Sequence, residues 1–197
     1  MENAIEIKNL CKTFGTKKAV DNLSLEIKEG ELFSLLGVNG AGKTTTIKML
    51  CGLCSATSGD ATLGGYSISK ESLKVKEIIN VSPQETAIAQ NLTVKENLEF
   101  IAGIYGASKE GQKAKAKKMI EDFNLEEFQN QRAKTLSGGW QRRLSIAMAL
   151  ISEPKILFLD EPTLGLDVLA RRELWNVISS LKGKITIILT THYLEEA

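Results

Sequence analysis

Two kinds of hydrophobic pattern follow one another along the chain. Near its start, apolar and polar residues alternate at positions 5–7 and again at 23–27. A period of two with one polar face predicts antiparallel strands near a sheet edge. Further on, short and nearly unbroken apolar runs are typical of strands that are covered on both faces. These runs lie at 32–36, 156–159, 185–189 and, more weakly, 78–81.

Helical patterns separate the apolar runs. Apolar residues recur at i, i+3, i+4 and i+7 in segments 144–151 and 174–181. Thr93 and Glu96 have the spacing of a capping box in front of another helix. Strands that alternate with helices predict an α/β fold with a mostly parallel central sheet, beside an antiparallel β subdomain at the N-terminus.

One region carries helical signals and no convincing strand. It begins at about Thr93, and we interpret 93–152 as a helical subdomain within a single domain that spans 1–197. A run of lysines lies at 109–118, but Glu110 and the acidic residues at 121 and 122 dilute it. We therefore favour a solvated helix face for this run over a binding surface.

The composition narrows the class of protein. A chain of 197 residues with 43% hydrophobic and 25% charged residues is typical of a soluble globular domain. Its 25 Lys and Arg residues nearly cancel its 24 Asp and Glu residues, which excludes a strongly basic nucleic-acid surface as the main theme. No apolar run approaches the roughly 20 residues of a membrane span. With no leader pattern and three cysteines, we expect a cytosolic protein without disulfides or direct membrane insertion.

Segment 37–44, Gly-Val-Asn-Gly-Ala-Gly-Lys-Thr, fits the G-x-x-x-x-G-K-[ST] pattern of a phosphate-binding loop rather than an accidental glycine-rich turn. A predicted strand precedes it and a helix-like segment, 45–53, follows it, as the mechanism requires. Glycines let backbone N–H groups turn toward the phosphates, Lys43 adds a full positive charge, and the Thr44 hydroxyl can ligate Mg²⁺. The residues expected to bind the nucleotide here are Gly37, Asn39, Gly40, Ala41, Gly42, Lys43, Thr44 and Thr45.

Two acids end the apolar run at 156–159. Because open α/β sheets bind ligands at the carboxyl ends of their strands, we expect Asp160 and Glu161 to face the same crevice as the phosphate loop. Asp160 is then placed to hold Mg²⁺, directly or through water. Glu161 is the candidate general base for attack on the γ-phosphorus. The alternative, a strand that ends in solvated acids, is less favoured beside a phosphate loop.

The tetrapeptide Leu-Ser-Gly-Gly at 136–139 resembles the signature motif of the ATP-binding cassette (ABC) family. Other motifs of that family appear in the same order and with similar spacing. They are an adenine-stacking loop (Phe14-Gly15), a glutamine loop (82–85), a segment from the catalytic Glu to an interface Asp (161–167) and a switch-histidine segment (190–197). The resemblance covers the chain from about Ile5 onward and implies a P-loop NTPase fold.

The resemblance also implies how these residues work. In the family, the signature motif closes over the γ-phosphate held by the phosphate loop of a second copy, so that two ATP molecules are sandwiched head to tail. Ser137, Gly138 and Gly139 would contact that ATP through a bare helix N-terminus. Gln84 would sense Mg²⁺ and the attacking water, and His192 would contact the γ-phosphate. ATP and Mg²⁺ are the implied cofactors, and the implied metal ligands are Thr44, Gln84 and Asp160.

Plainer interpretations stay open for single residues. By itself Gln84 would be an ordinary polar loop residue, His192 a structural histidine and Phe14 a core aromatic residue. Asp167 can act as the N-cap of the following helix as well as an interface residue. The structural alternatives predict buried or hydrogen-bonded side chains, whereas the functional roles predict side chains that are open to a ligand.

Cys51 and Cys54 form a C-x-x-C pattern, which can indicate metal or redox chemistry. No second pair exists in the sequence, and both cysteines share a predicted helical face with Ile47 and Leu50. We therefore interpret them as packing residues.

Two departures from the family pattern are visible. Trp140 lies where the family usually has Gln, so the contact with the partner's ribose is expected to change. The sequence stops at Ala197, whereas family members continue beyond the histidine segment, so we expect a truncated domain. The residues implied to contact the phosphate are retained.

The resemblance implies the motor subunit of a membrane transporter, an Mg²⁺-dependent ATPase that dimerises with a second nucleotide-binding domain and acts on a separate transmembrane permease. The motifs look most like single-domain cassettes for multidrug or antibiotic export. We expect it in the cytoplasm, on the inner face of the cell membrane, without a nucleic-acid partner. The alternatives are a soluble ABC-type switch in translation or DNA repair and a non-hydrolysing interaction subunit. Intact Lys43, Glu161 and His192 disfavour the last.

Overall fold

The computed structural model describes residues 2–196, and Met1 of the predicted domain and Ala197 of the predicted histidine segment lie outside the described residues. The strands are β1 (Asn3–Phe14), β2 (Lys17–Lys28), β3 (Leu32–Leu36), β4 (Ser58–Leu63), β5 (Tyr66–Ser67), β6 (Ile79–Ser82), β7 (Ile156–Asp160) and β8 (Thr186–Thr191). The helices are α1 (Lys43–Leu50), α2 (Ser72–Ile78), α3 (Val94–Ile104), α4 (Lys109–Asp122), α5 (Gly138–Leu150) and α6 (Val168–Ser180). Short 3-10 turns lie at Glu126–Phe128, Ala133–Thr135 and Leu194–Glu196.

Strands β1, β2, β4 and β5 form an antiparallel sheet in the order β2-β1-β4-β5. The predicted alternation fits its register, in which Ile5 pairs with Ile27 and both side chains are buried. The sequence pattern predicts β1 and β2 but not β4, which reads Ser-Gly-Asp-Ala-Thr-Leu and buries only Ala61 and Leu63. A strand with so few apolar positions has too weak a period to be recognised.

A parallel sheet in the order β3-β8-β7-β6 supports the candidate site. The predicted strand at 32–36 matches β3, whereas β8 runs on to Thr191 because Thr190 and Thr191 are buried as fully as the apolar residues before them. Leu36 pairs with Thr191, and Asp160 pairs with Thr190. The carboxyl ends of β3, β7 and β8 therefore lie side by side.

A core of aliphatic side chains packs between the sheets and α1. Its largest fully buried members are Ile5, Leu10, Ile27, Ile47, Met49, Leu50, Leu63 and Phe158. Cys51 belongs to this core and Cys54 packs against it, which confirms the packing interpretation. Burial and, to a smaller extent, the charge of Asp160 raise the pKa of the Cys51 thiol to about 12. This thiol therefore stays neutral and unreactive at physiological pH.

The chain divides into two compact units. The first (Met1–Val81, Pro154–Glu161 and Leu181–Ala197) contains α1, α2 and the strands, apart from the last residue of β6. The second (Ser82–Glu153 and Pro162–Ser180) contains α3 to α6. The predicted helical subdomain, 93–152, falls within the second unit, and its boundaries and the single-domain assignment remain predictions.

Helix α3 begins with the predicted capping box. Thr93 Oγ1 accepts a hydrogen bond from the Glu96 N–H, and the Glu96 carboxylate accepts one from the Thr93 N–H. The second of these bonds contributes most to a pKa of Glu96 below its ordinary value of 4.5. Asn97, one residue on, is buried and hydrogen-bonds the preceding loop through Ala89 O and Thr93 O. The start of α3 is thus held by side chains of its own first turn.

The surface of α4 carries the predicted run of lysines. Lys109, Lys113, Lys117 and Lys118 are exposed, which confirms a solvated helix face. Lys115 donates to Glu153 Oε1 at 3.0 Å, and this hydrogen bond lowers the pKa of Glu153. Among residues 2–196, no helix is long and apolar enough to cross a membrane.

Candidate functional site

The predicted phosphate loop joins β3 to α1. Its first residue is tied to the neighbouring strand, because the Gly37 N–H donates to Thr191 O at 3.3 Å. Gly42, the N-cap of α1, lies in the left-handed region with φ of 91°. A Cβ at Gly42 would meet Ala19 O at 2.3 Å, so only glycine fits between the loop and β2. No side chain caps α1, which leaves the first-turn N–H groups to an anion.

The other predicted loop residues lie around this turn. Asn39, Gly40 and Ala41 are exposed at its tip, and Thr45 is half-buried in the first turn of α1. Gly40 also lies in the left-handed region, with φ of 85°. The loop therefore presents backbone, with few bulky side chains, around the start of α1.

Lys43 is buried and held by three oxygens. Its Nζ donates to Gly37 O at 2.6 Å and to Val38 O at 3.3 Å, and it lies 3.3 Å from Glu161 Oε1. The Lys43 and Glu161 side chains are 9% and 8% exposed. Two residues that the sequence predicts from separate motifs thus form one buried ion pair, in which each charge compensates the other.

Asp160 lies beside this pair and is also buried. Its Oδ1 accepts hydrogen bonds from Thr44 Oγ1 at 3.1 Å and from Thr190 Oγ1 at 2.6 Å. The structure thereby brings together two of the three predicted metal ligands, Thr44 and Asp160. Both offer oxygen, the donor that Mg²⁺ prefers. The third, Gln84, belongs to the second unit.

Glu161 directly follows β7 and is held at both ends. Its backbone N–H donates to Thr190 Oγ1 at 2.9 Å, and its Oε2 lies 2.9 Å from His192 Nδ1. Its φ of 47° lies in the left-handed region, which is uncommon for a residue with a Cβ. A buried carboxylate against a histidine is an arrangement in which one group accepts a proton and the other orients it.

Thr190 is a site residue that the sequence pattern does not reveal. Its hydroxyl donates to Asp160 Oδ1 and accepts from the Glu161 N–H, so one side chain orients both acids. A threonine that directly follows an apolar run is, by its sequence alone, an ordinary strand former. The usable signal is register, because a hydroxyl at the end of β8 lies opposite the acid at the end of β7.

The histidine segment folds back onto the parallel sheet. Thr191 Oγ1 donates to Glu196 Oε2 at 2.7 Å, and Ser34 Oγ donates to Glu196 O at 2.8 Å. The His192 ring packs on the Tyr193 ring with 4.0 Å between centroids. These contacts anchor the segment on both sides of His192 and hold its ring at Glu161.

Phe14 ends β1 with its side chain 54% exposed, so the core interpretation of this residue is wrong. Lys12 Nζ lies 4.9 Å from the ring centroid, within the range of a cation–π contact. An exposed ring at a strand end offers a face for stacking a flat ligand. Its contact with adenine stays a prediction.

Ser137, Gly138 and Gly139 form the start of α5 in the second unit. Ser137 has the N-cap position, as predicted, but its side chain makes no capping hydrogen bond and is exposed. A Cβ at Gly139 would lie 3.0 Å from Ala170 Cβ, so a small residue lets α5 approach α6. The start of α5 is open to solvent, and its role as an anion site stays a prediction.

Two more predicted residues lie in the second unit. Asp167 Oδ1 accepts from the Ala170 N–H at 2.9 Å, which confirms the N-cap interpretation. Its interface role stays a prediction. Gln84 is exposed, and its backbone oxygen accepts a hydrogen bond from Arg142. The sensing role of the Gln84 side chain also stays a prediction.

Comparison with known proteins identifies the family. Residues 20–164 match the sequence profile of the family described as ABC transporter. The chain belongs to the ABC transporter family. The match includes the phosphate loop, the glutamine loop, the signature motif and the acidic strand, so the resemblance drawn from the motifs is confirmed.

Curated ABC relatives align with nearly the whole chain. The probable multidrug ABC transporter ATP-binding protein YbhF of Escherichia coli (strain K12) is 43% identical, over 100% of this chain and 34% of YbhF. The linearmycin resistance ATP-binding protein LnrL of Bacillus subtilis is 41% identical, over 98% of this chain and 62% of LnrL. Human phospholipid-transporting ATPase ABCA3 is 44% identical, over 98% of this chain and 12% of ABCA3. The chain therefore spans about a third of YbhF and less than two thirds of LnrL.

A solved structure shares the fold. CbiO1 from Clostridium perfringens, part of the ABC transporter complex CbiONQ, superposes with a TM-score of 0.88 at 25% identity. The match covers 98% of this chain and 80% of CbiO1. The predicted α/β fold of an ABC P-loop NTPase is confirmed.

Trp140 marks this ABC chain's departure from the usual signature motif. The centroids of the Trp140 and Phe128 rings are 4.3 Å apart, and the Arg143 guanidinium carbon lies 4.2 Å from the centroid of the Trp140 ring. Arg143 in turn donates to Glu173 Oε2 at 3.1 Å. The indole is therefore packed into the second unit, where it braces the first turn of α5. The altered ribose contact stays a prediction.

Proposed function

We propose that this chain is the ATP-binding and ATP-hydrolysing subunit of an ABC transporter, and that ATP-driven dimerisation powers export of a substrate across a membrane. The observation that carries the proposal is a cluster of side chains in which Glu161 contacts both Lys43 and His192. Thr44 and Asp160 are hydrogen-bonded to each other beside it. A phosphate loop, two acids and a histidine with this geometry are the parts that γ-phosphate hydrolysis needs.

The triphosphate would lie against the loop between β3 and α1. The loop N–H groups and the start of α1 provide directed dipoles, and Lys43 provides the full charge. The exposed face of Phe14 would stack on the adenine. The same chain would thus hold both ends of its own nucleotide.

The donor set fits a Mg²⁺ ion bound together with ATP. Thr44 Oγ1 and Asp160 Oδ1 are 3.1 Å apart and converge on the start of α1. Their oxygens would hold the ion, with Gln84 as the proposed third ligand. When bound, the ion would neutralise charge on the β- and γ-phosphate oxygens. Thr190 holds Asp160 in place for this task.

Hydrolysis would use Glu161 as the general base. A water placed in line with the γ-phosphorus would lose its proton to the Glu161 carboxylate. His192 Nδ1, at 2.9 Å from Oε2, orients that carboxylate and would leave the rest of its ring to the γ-phosphate. Lys43, at 3.3 Å from Oε1, would shift its ion pairing toward the nucleotide as the triphosphate binds.

The start of α5 would complete a second copy's site. Ser137 and Gly139 would contact the γ-phosphate held by the partner, so ATP would favour the closed dimer through contacts that ADP lacks. We propose that residues 93–152 form a helical subdomain of the single domain, and that a separate permease is its membrane partner. Such a subunit would be cytoplasmic and peripheral on the membrane. YbhF and LnrL support the export assignment by their names.

Reconstitution tests the proposal. The purified chain, with Glu161→Gln as the inactive control, would be assayed for Mg²⁺-dependent ATP turnover, alone and in vesicles with a candidate ABC permease from the same genome. We expect turnover that the permease stimulates and that Glu161→Gln abolishes. Turnover that no membrane partner binds or changes would favour the soluble ABC-type switch.

A further inference from the structure

A buried arginine ties the signature helix to the glutamine loop. Arg142 lies in the second turn of α5 and is 4% exposed. Its Nη1 donates to Pro83 O and its Nη2 donates to Gln84 O, each at 2.5 Å. We propose that Arg142 is a positioning residue that sets the direction of Gln84 and links it to the start of α5. The inference rests on the proposed function.

The chemistry of the guanidinium explains why this contact fixes a direction. A planar fork that binds two consecutive carbonyls holds the orientation of both peptide groups, and therefore the direction in which the residue between them projects. The φ of Pro83 is already restricted by its ring. Gln84 itself is exposed, so the backbone decides where its side chain points. A lysine, with a single ammonium on a flexible stem, would not hold both peptides.

The helix supplies the link to the start of α5. Ser137 precedes Arg142 by five residues, which is about 7.5 Å along an α-helix. Residues from Arg142 to Leu150 are all buried, so this part of α5 moves as a rigid element. A second tether joins the same elements, because Ser82 Oγ and Ser145 Oγ are 3.0 Å apart. A shift of the signature residues would therefore reach the backbone of Gln84.

The neighbouring arginine provides a matched control. Arg143 is 6% exposed and also lies in α5, but it contacts Phe123 O, Glu173 and the ring of Trp140. Arg143→Lys therefore makes the same chemical change one residue away without touching the glutamine loop. Any loss that comes only from replacing a buried guanidinium would appear in both variants.

The first test measures amide hydrogen exchange in the absence of nucleotide. Arg142→Lys should raise exchange of the amides at 84–87 by about tenfold, because the segment loses the two hydrogen bonds that hold its backbone in one conformation. Arg143→Lys should leave exchange in that segment as it is in the wild type. Equal exchange in 84–87 for the wild type and Arg142→Lys would overturn the proposal.

The second test is a double-mutant cycle on ATP turnover with Gln84→Ala. Arg142→Lys should lower kcat by about tenfold to a hundredfold with KM roughly unchanged. In the Gln84→Ala background it should cause no further loss, because the residue that it positions is gone. The same loss of kcat in both backgrounds would assign Arg142 a merely structural role and overturn the proposal.

Two further measurements keep the outcomes separable. If Arg142→Lys does not fold, Arg142→Gln is measured in the same two tests. A separate measurement leaves Arg142 unchanged: it compares amide exchange in the Glu161→Gln protein before and after ATP is added. There, protection at 137–140 and at 84–87 should rise together, and independent changes would overturn the link. A wild type without ATP turnover would refute the proposed function, while exchange without nucleotide would still decide the role of Arg142.

Discussion

The crevice at the phosphate loop and the start of α5 are built in opposite ways. In the crevice, the charged groups bind one another: Lys43 pairs with Glu161, Glu161 with His192, and Asp160 with two hydroxyls. At the start of α5, Ser137 is exposed and makes no capping hydrogen bond. One region is organised by its own contacts, and the other offers its donors outward. Such a difference is expected if the second region serves a ligand that another copy holds.

Other helices of the second unit sharpen the contrast. Helix α3 has a complete capping box at Thr93, and α6 has a capping carboxylate at Asp167. Only α5 of these three begins with an N-cap side chain that makes no capping bond, although serine is a strong N-cap residue. The open start of α5 is therefore a local property of the signature motif and not of the whole unit.

Lys43→Ala should have the largest effect on ATP binding and on stability, because Lys43 lies at the centre of the crevice. It removes the positive charge expected to meet the triphosphate and leaves Glu161 buried without its cation. We expect measurable ATP binding to disappear and the free energy of unfolding to fall by about 3 kcal/mol. Titration with a fluorescent ATP analogue and urea unfolding measure the two effects. Lys48→Ala, on the exposed side of α1, is the control and should change neither.

Glu161→Gln should stop turnover without loosening the crevice. The amide keeps the size of the side chain and an oxygen for Lys43, but it does not accept a proton. We expect kcat to fall by about 10² to 10⁴-fold, with ATP affinity within a few-fold of the wild type. Gel filtration with ATP should then show a trapped dimer. Glu195→Gln, on the exposed part of the histidine segment, is the control. Turnover by Glu161→Gln at the parental rate would assign the base elsewhere.

Ser137→Ala and Asp167→Ala test the two kinds of helix start against each other. Asp167 makes a capping bond, so its loss should cost about 1 kcal/mol of unfolding free energy. Ser137 makes none, so its loss should stay within about 0.5 kcal/mol. ATP turnover should nevertheless fall in Ser137→Ala. Equal destabilisation of both variants in urea would contradict the contrast between α5 and α6.

Glu96 gives the smallest effect and a pH dependence. Its pKa is lowered in the fold, chiefly by the Thr93 N–H, so its contribution is present above the ordinary value of 4.5 and is lost as the pH falls through the lowered pKa. The protection factors of the amides at 93–97, which compare exchange with the intrinsic rate at each pH, should therefore fall at acid pH. Glu96→Gln keeps the capping geometry without a titrating group and should flatten that fall. An unchanged acid response in Glu96→Gln would assign it to another carboxylate.

The elements that the sequence predicts are those in which one local pattern suffices. The apolar run at 32–36 gives β3 residue for residue, and Thr93 with Glu96 gives the start of α3. The phosphate loop is recognisable because its glycines and Lys43 lie within eight positions of one another. Strand β4 is not predicted, because its burial depends on pairing with β1 and not on its own composition.

Several site contacts that the sequence does not predict join residues far apart in the chain. Thr190 reaches Asp160 across 30 positions, and Arg142 reaches Pro83 across 59. A hydroxyl in a strand and an arginine in a helix have many possible partners, and only the register of the sheet or the packing of α5 selects one. The acids are predicted because they end an apolar run in a chain with a phosphate loop, and the histidine because the family resemblance names it. Neither the pattern nor the resemblance assigns a role to Thr190 or Arg142.

The order of the parallel sheet has a consequence for biosynthesis. Strand β8 lies between β3 and β7, although it is translated after both. During synthesis on the ribosome, β3 and β7 would therefore remain unpaired on the side that β8 later occupies. The nascent chain should therefore gain no affinity for ATP until the segment around position 190 has left the exit tunnel. Until then, the edge of β3 that pairs with β8 would be exposed, and chaperone binding would protect it from aggregation.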